Sequence, residues 1–569
     1  MAEQTAKSVR FRDFLAWARP ILWPDSSFFL LAVVYGVAIS LLSLVTPISV
    51  QLLINSIAYT ALPVPLFTLS LVTFALLMAS NLLSAFRTHL MEIFRRRFFA
   101  RLVADITMRA VQARDPFFSD ARRADLFNRY FDVMNVQKAV PSLLIGLFTI
   151  LLQSAVGLVV TSLYHPIFLA FNLVFILLVW LVWRLWSRPA MSASVQLSHA
   201  KYDMAHWLES VGASNGFYKS GRHIDYAITQ SDALTARYIA ADRRFFGHSF
   251  TQNVLFLTLY AAASAGLLAL GGWLVIQGQL SIGQLVAAEL ILSSIFYGVA
   301  QLGPYLDSFY ELVAACEELH LFHEVPQEAP VSSEPLDRLG GRLALEGVEL
   351  DGLRFDFALP EGARLIGASE PDVNRALQLL LKRHISPARG FVTLGGADIS
   401  ALDVYQLRSE VIVLDRPSIV ETRIIDYLDL ASPEATPAMM MEALKLVGLD
   451  QQIGRLPEGM HTLLSSTGWP LALPEVMRLK FAAALLARPR LLILSPLFDM
   501  VPRPDLERML AGLAGGPTTM LYFTNRTHPP VLDGYLWLGR RAQQLVSTQA
   551  EFDALRYAAP QPMEARDGR

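Results

Sequence analysis

The segment 365–381, LIGASEPDVNRALQLLL, has the outline of a phosphate-binding turn. The apolar pair Leu365-Ile366 leads into Gly367, and an amphipathic helical pattern runs on from Asn374. A phosphate loop works because consecutive backbone N–H groups point into the turn, a lysine neutralises the β and γ phosphates, and a hydroxyl holds Mg2+. Between strand and helix this chain carries Glu370, Pro371, Asp372 and Val373 instead. Pro371 has no N–H to donate. Two carboxylates bring negative charge toward a polyanion: at about 5 Å and an effective dielectric near ~20, each repulsion costs roughly 3 kcal/mol, about a hundredfold in affinity. The outline suggests phosphate chemistry, and the side chains oppose it.

Two further residues invite a chemical reading. Glu289 lies in the apolar run LVAAELILSS. A charge inside a bilayer costs about 2.5–3.5 kcal/mol on insertion and faces a cavity or a partner, so Glu289 is a candidate for a substrate path or for an interhelical hydrogen bond as the protonated acid. Cys316 is the only cysteine, which excludes an intramolecular disulfide. Its neighbours Glu317 and Glu318 do not favour a thiolate, and it reads as a structural thiol.

The elements that must position these groups fall into two halves. The 569 residues are 53% hydrophobic and 17% charged, against about 25% charged in ordinary domains, and the deficit is concentrated between about 28 and 303. Spanning a bilayer takes about 20 apolar residues, and six segments qualify: 28–57, 66–86, 142–164, 166–186, 254–276 and 282–304. The short loops IAYTALPVPL, SLYHP and IQGQLS contain no Lys or Arg, whereas ten arginines lie between Arg87 and Arg129. The positive-inside rule then places both termini and the two long loops in the cytoplasm. Those loops show helical periodicity with charged faces, as if membrane helices continued beyond the bilayer. The stretch FRDFLAWA reads as an amphipathic helix on the inner surface. The first 20 residues lack the apolar core of a signal peptide. A net charge of −2 gives no hint of a nucleic-acid partner.

After a Pro- and Glu-rich linker at 323–341, short strand-like runs (LALEGVEL, RFDFALP, ARLIG, FVTLGG) are followed by helical stretches and then by RLLILS and TMLYFTN. Strands alternating with helices predict an α/β sheet, and LLIL, with no polar alternation, predicts a strand buried on both faces. The expected organisation is a surface helix at 1–25, a six-helix membrane domain at 26–322, the linker, and an α/β domain at 342–569.

In this order of elements the chain resembles an ATP-binding-cassette (ABC) exporter half-transporter over nearly its whole length. VIQGQLSIGQLVAAELI resembles the family's turn between its fifth and sixth helices. GFVTLGGADISALDVYQLRSEVIVLD resembles the cassette up to the glutamine loop, and LPEGMHTLLSSTGWPLALPEVMRLKFAAALLARPRLLIL the part from signature motif to Walker B strand. The membrane half is most similar to bacteriocin and type I secretion exporters. The resemblance implies a type I exporter membrane domain followed by a P-loop-NTPase-like cassette. It also assigns stations for the chemistry. Aligned on Gly367, the loop's later glycines become Glu370 and Asp372, its lysine Val373 and its magnesium-binding hydroxyl Asn374. The glutamine-loop glutamine becomes Asp415, the Walker B aspartate and catalytic glutamate become Ser495 and Pro496, and the switch histidine becomes Asn525, with His528 three residues on. The D-loop aspartate becomes Pro502, and the adenine-stacking aromatic falls near Gly352. The signature LSGGQ becomes Leu471-Ala472-Leu473-Pro474-Glu475, which keeps good first-turn residues for a helix while erasing the phosphate contact.

Apolar periodicity and turns are kept while charge- and phosphate-handling residues are replaced. The expectation is therefore a pseudo-ATPase, not an enzyme, with no ATP or Mg2+ bound productively and no metal site. It would act in the bacterial inner membrane as an exporter-like subunit for a hydrophobic, peptide or protein substrate. It would be paired with an ATP-competent exporter half, a heterodimer before a homodimer, and with a periplasmic adaptor as a further partner. The alternative is an ATP-independent homodimeric scaffold, adaptor or passive conduit.

Overall fold

The computed structural model describes residues 9–59, 63–114, 117, 124–328 and 340–557. They divide into two compact units, Met1–Glu328 and Ala329–Arg569, and the division falls inside the expected linker, most of which lies outside the described residues.

The first unit is helical. Helix α1 (Phe11–Leu22) buries Phe14, Ala18 and Ile21, spaced four and three residues apart, as an amphipathic surface helix should. A short turn brings Asp25, fully buried, against Arg101 at 2.9 Å and Arg97 at 3.5 Å, so the start of the first span is pinned to the second. The chain continues through α2 (Ser26–Leu42), α3 (Val45–Tyr59), α4 (Pro63–Val111), α5 (Asp132–Ser142), α6 (Phe148–Ser162), α7 (Pro166–Ala213), α8 (Gly221–Ile276), α9 (Ile282–Ala300) and α10 (Leu302–His320). Among the described residues, six stretches are long and apolar enough to cross a membrane.

Helices α4, α7 and α8 have 49, 48 and 56 residues, about 72–84 Å at 1.5 Å per residue, more than twice a hydrocarbon core of about 30 Å. The expected extension beyond the bilayer is therefore present. Two spans read as continuous from sequence are broken: α2 gives way to α3 at 43–44, and α9 to α10 at Gln301. Each break lies three or four residues before a proline, Pro47 and Pro304. A proline removes one helical N–H and crowds the carbonyl four residues back, here that of Ser43 and of Ala300. A proline alone does not end a helix, since Pro189 sits inside α7. Of the turns at the far ends of the two long loops, the one at 115–130 lies half outside the described residues. The other forms the turn between α7 and α8, where Phe217 stacks on His223 at 4.1 Å.

The second unit holds two sheets. The antiparallel one has the order β2 (Leu353–Leu359), β1 (Leu343–Leu350), β4 (Arg389–Leu394), β5 (Ala397–Asp398). The larger runs β10 (Gln543–Val546), β9 (Gly534–Leu538), β3 (Arg364–Ser369), β8 (Thr519–Phe523), β7 (Leu491–Leu494), β6 (Val411–Leu414). Within it β9, β3, β8, β7 and β6 are parallel. LLIL of β7 is buried along its whole length, as its unbroken apolar run predicts. Helices α11 (Val373–Leu381), α12 (Val404–Glu410), α13 (Ile424–Asp429), α14 (Pro437–Leu446), α15 (Asp450–Gly454), α16 (Leu473–Ala487), α17 (Arg503–Ala511) and α18 (Gln549–Tyr557) complete it.

Candidate functional site

Open parallel sheets place their ligand-handling groups beyond the carboxyl ends of the strands, and the topology gathers the predicted stations there. Ser369 ends β3 and Glu370 follows it; Asp415 follows β6, Ser495 follows β7, and Asn525 lies two residues beyond β8. One sheet edge therefore carries the stations Glu370, Asp415, Ser495 and Asn525, while Gly352 lies in the turn between β1 and β2 of the other sheet and Pro502 caps α17.

The turn after β3 is built differently from a phosphate cradle. The Glu370 N–H donates to the Leu538 carbonyl at 2.9 Å, so it faces the neighbouring strand rather than the turn. The Glu370 carboxylate lies 3.7 Å from the Arg540 guanidinium. Asp372 has φ 68°, a left-handed conformation that glycine adopts without cost. Glu370 does not share it, so only one of the two glycine stations stands at a positive-φ position. Val373 is fully buried and packs with the core residues around Leu377 and Leu380. At the lysine station this chain's side chain thus points into the protein core. Asn374 accepts a hydrogen bond from Gln378 Nε2 at 3.0 Å. The side chains of this loop do not fit a magnesium–phosphate group: none is a cation, and the cation beside them is Arg540.

At the neighbouring strand ends the polar groups bind one another. Buried Ser495 accepts from the Leu497 N–H at 3.3 Å, and Pro496 opens the following turn. Four residues past Ser495, Asp499 accepts from the Tyr522 hydroxyl, from the Thr524 hydroxyl at 2.6 Å and from the Asn525 N–H at 2.8 Å. Arg526 reaches across to the carbonyls of Asp499 and Val501 at 2.8 and 2.6 Å. Burial and the Asp499 carboxylate push the Tyr522 phenol far above its ordinary pKa. Lys480, on α16, donates to the carbonyls of Arg416 (2.7 Å) and Ser418; burial lowers its pKa while Asp415 opposes that shift. Helix α16 begins as expected, with Pro474 in its first turn and Glu475 accepting from the Ala472 N–H at 2.8 Å. Sequence reading missed Asp499, Arg526 and Lys480. An acid five residues beyond a buried strand was the available signal for the first.

In the membrane unit Glu289 accepts from its own helix, from the Ser293 hydroxyl at 2.8 Å, and not across helices. It lines neither a polar cavity between α3, α6 and α9 that includes Gln153 and Ser294 nor a larger apolar one of about 620 Å3. Arg87 is 4% exposed, with Nη1 donating to the Thr149 hydroxyl at 2.6 Å and Nε without a partner. Counting Arg87 among loop arginines hid a buried charge at the end of a span. Cys316 is fully buried and its thiol pKa is pushed up by burial, in keeping with a structural thiol.

No protein-family model matches the chain. The alpha-hemolysin translocation ATP-binding protein HlyB of Escherichia coli O157:H7 is 26% identical over 328 residues, 55% of this chain. The mycobactin import ATP-binding/permease protein IrtB of Mycolicibacterium thermoresistibile is 26% identical over 282 residues, 47% of this chain. The chain spans about half the length of these two relatives, 46% and 48%. A lactococcin transport/processing ATP-binding protein, LcnC-like, of Lactococcus lactis subsp. lactis is 22% identical over 531 residues, 89% of this chain and 72% of the relative. A bacterial Atm1-family ABC exporter solved with ATP bound superposes with a TM-score of 0.75 at 17% identity, covering 95% of this chain and 99% of that one. The fold is that of an ABC exporter.

These relatives correct the expectation that the chain is not an enzyme. They are named as ATP-binding proteins, and excluding ATPase activity from single aligned positions does not stand against that. The physical weakness of the exclusion is visible at two stations: the Val373 site faces the core, and an acid outside the aligned positions, Asp499, occupies the sheet edge.

Proposed function

We propose that this chain is one membrane half of an ABC exporter. Together with a second half it forms a path by which a hydrophobic, peptide or protein substrate leaves the bacterial cytoplasm across the inner membrane, with both termini of this chain inside. One observation carries the reading: three spans continue as single helices of 48–56 residues, in a chain that also carries the parallel sheet. Such helices can transmit motion between a soluble unit and the bilayer. The names of HlyB and LcnC-like, which speak of translocating or transporting a protein or bacteriocin, support a peptide or protein substrate. Their ATP-binding names support nucleotide as the energy source of the assembled pair. A second exporter half, different from this chain, is the proposed partner, with a periplasmic adaptor beyond it. Purification from the native membrane tests the assembly: a second exporter half at one-to-one stoichiometry is expected, and a chain that purifies only with itself overturns the heteromeric pair.

Glu289 is proposed to face the substrate path of that assembly. Its support is a half-buried carboxylate within an apolar span whose only described partner is one hydroxyl of its own helix. Glu289→Ala is expected to lower transport at unchanged membrane abundance, and an unaltered transport rate removes Glu289 from the path.

A further inference from the structure

The apolar cavity of about 620 Å3 lies in the membrane unit among α1, α6, α7, α8 and α10. Phe11, Ala155, Phe175, Trp180, Trp183 and Phe309 are among its walls, and Ser154 is its one polar side chain. Its volume is in the range of small-ligand sites, about 300–1,000 Å3. Its rim reaches the surface of the chain, where Leu151, Ile176 and Trp180 are 52%, 46% and 51% exposed.

The depth of the cavity follows from helix geometry. Counting from Pro166 at about 1.5 Å per residue, Trp180 and Trp183 lie about 21–26 Å along α7, and Arg184 and Arg188 about 27–33 Å. With a hydrocarbon core of about 30 Å, Trp180 and Trp183 sit in the half of the bilayer nearest α1, Arg184 stands just inside its border with a side chain long enough to reach the headgroups, and Arg188 stands at headgroup level. Arg184 is four residues from Trp180 and shares its helix face. No ion pair among the described residues involves Arg184 or Arg188. On the α1 side Arg12 and Arg19 are exposed, and the one acid of that helix, Asp13, accepts from the Arg10 N–H at 2.8 Å.

We propose that this cavity is a binding site for an anionic glycerophospholipid of the leaflet on which α1 lies. One acyl chain fills the apolar space, the indoles of Trp180 and Trp183 sit at the level of the glycerol esters, and the phosphate pairs with Arg184. Charge complementarity selects this occupant. A neutral apolar segment would leave Arg184 unpaired, and a zwitterionic lipid would bring its own cation toward Arg184, one turn from the lining residue Trp180.

The test uses the full chain in nanodiscs of equal phosphatidylglycerol and phosphatidylcholine, followed by detergent washing and native mass spectrometry. Wild type is expected to retain phosphatidylglycerol at a fixed stoichiometry. Ala155→Trp, which fills the cavity, is expected to lose it. Arg184→Gln is expected to retain lipid but to lose about fivefold of its preference for phosphatidylglycerol, the worth of one interfacial arginine. If A155W does not fold, R184Q alone decides. Lipid that washes from wild type, full retention by a folded A155W, or an unchanged headgroup preference in R184Q overturns the proposal, as does a dimer that closes the cavity with no lipid retained.

Discussion

At the scale of single residues, the sheet edge is held by Asp499. Its carboxylate accepts from two hydroxyls and one backbone N–H of the segment 522–525, tying the turn after β7 to the end of β8. Asp499→Asn keeps the shape but sets an amide donor against donors. Hydrogen bonds to charged groups contribute about 1.5–3 kcal/mol each, so a loss of about 2–3 kcal/mol is expected, read as faster hydrogen exchange at 522–526 and a lower unfolding midpoint. Unchanged exchange there contradicts the clamp. Val373 gives the second prediction. Because its side chain is in the core, Val373→Lys buries an ammonium and should destabilise the second unit by about 3 kcal/mol or more. Measurable gain of nucleotide affinity with unchanged stability contradicts the placement. The types of Glu370, Asp372 and Val373 were plain in the sequence. What these side chains face was not, because burial depends on where α11 lands against β3 and β4, and strand order is invisible to a local pattern.

At the scale of elements, periodicity and composition made the spans, the amphipathic α1 and the buried β7 legible. The breaks at 43–44 and 301 were less so, since an apolar run reads as continuous whether or not its hydrogen bonds are, and Pro189 shows that a proline does not settle the matter. Helix contact inside the bilayer depends on small residues that allow close approach. Gly157 of α6 is such a point: an added Cβ would lie 2.8 Å from Ile291 Cγ2 and from Ile295 Cδ1 of α9. Gly157→Leu is expected to cost about 1–3 kcal/mol by forcing α6 from α9, measured by unfolding in detergent, and Ile291→Ala should recover part of the loss. Additive effects of the two substitutions would show that the contact does not couple them.

At the scale of the whole molecule, the order of membrane helices and then α/β unit was legible because length and hydropathy separate the two halves cleanly. The step from missing motif residues to an inactive ATPase was not sound. It read function from positions one at a time, while the relatives aligned over up to 89% of the chain are named for ATP binding. Export by a pair of halves is the central claim, and transport in inverted membrane vesicles tests it most directly. A fluorescently labelled hydrophobic peptide is offered with ATP to vesicles that hold the second half, with and without this chain. Uptake that requires this chain is the predicted result. Uptake at the same rate in vesicles lacking it contradicts the claim.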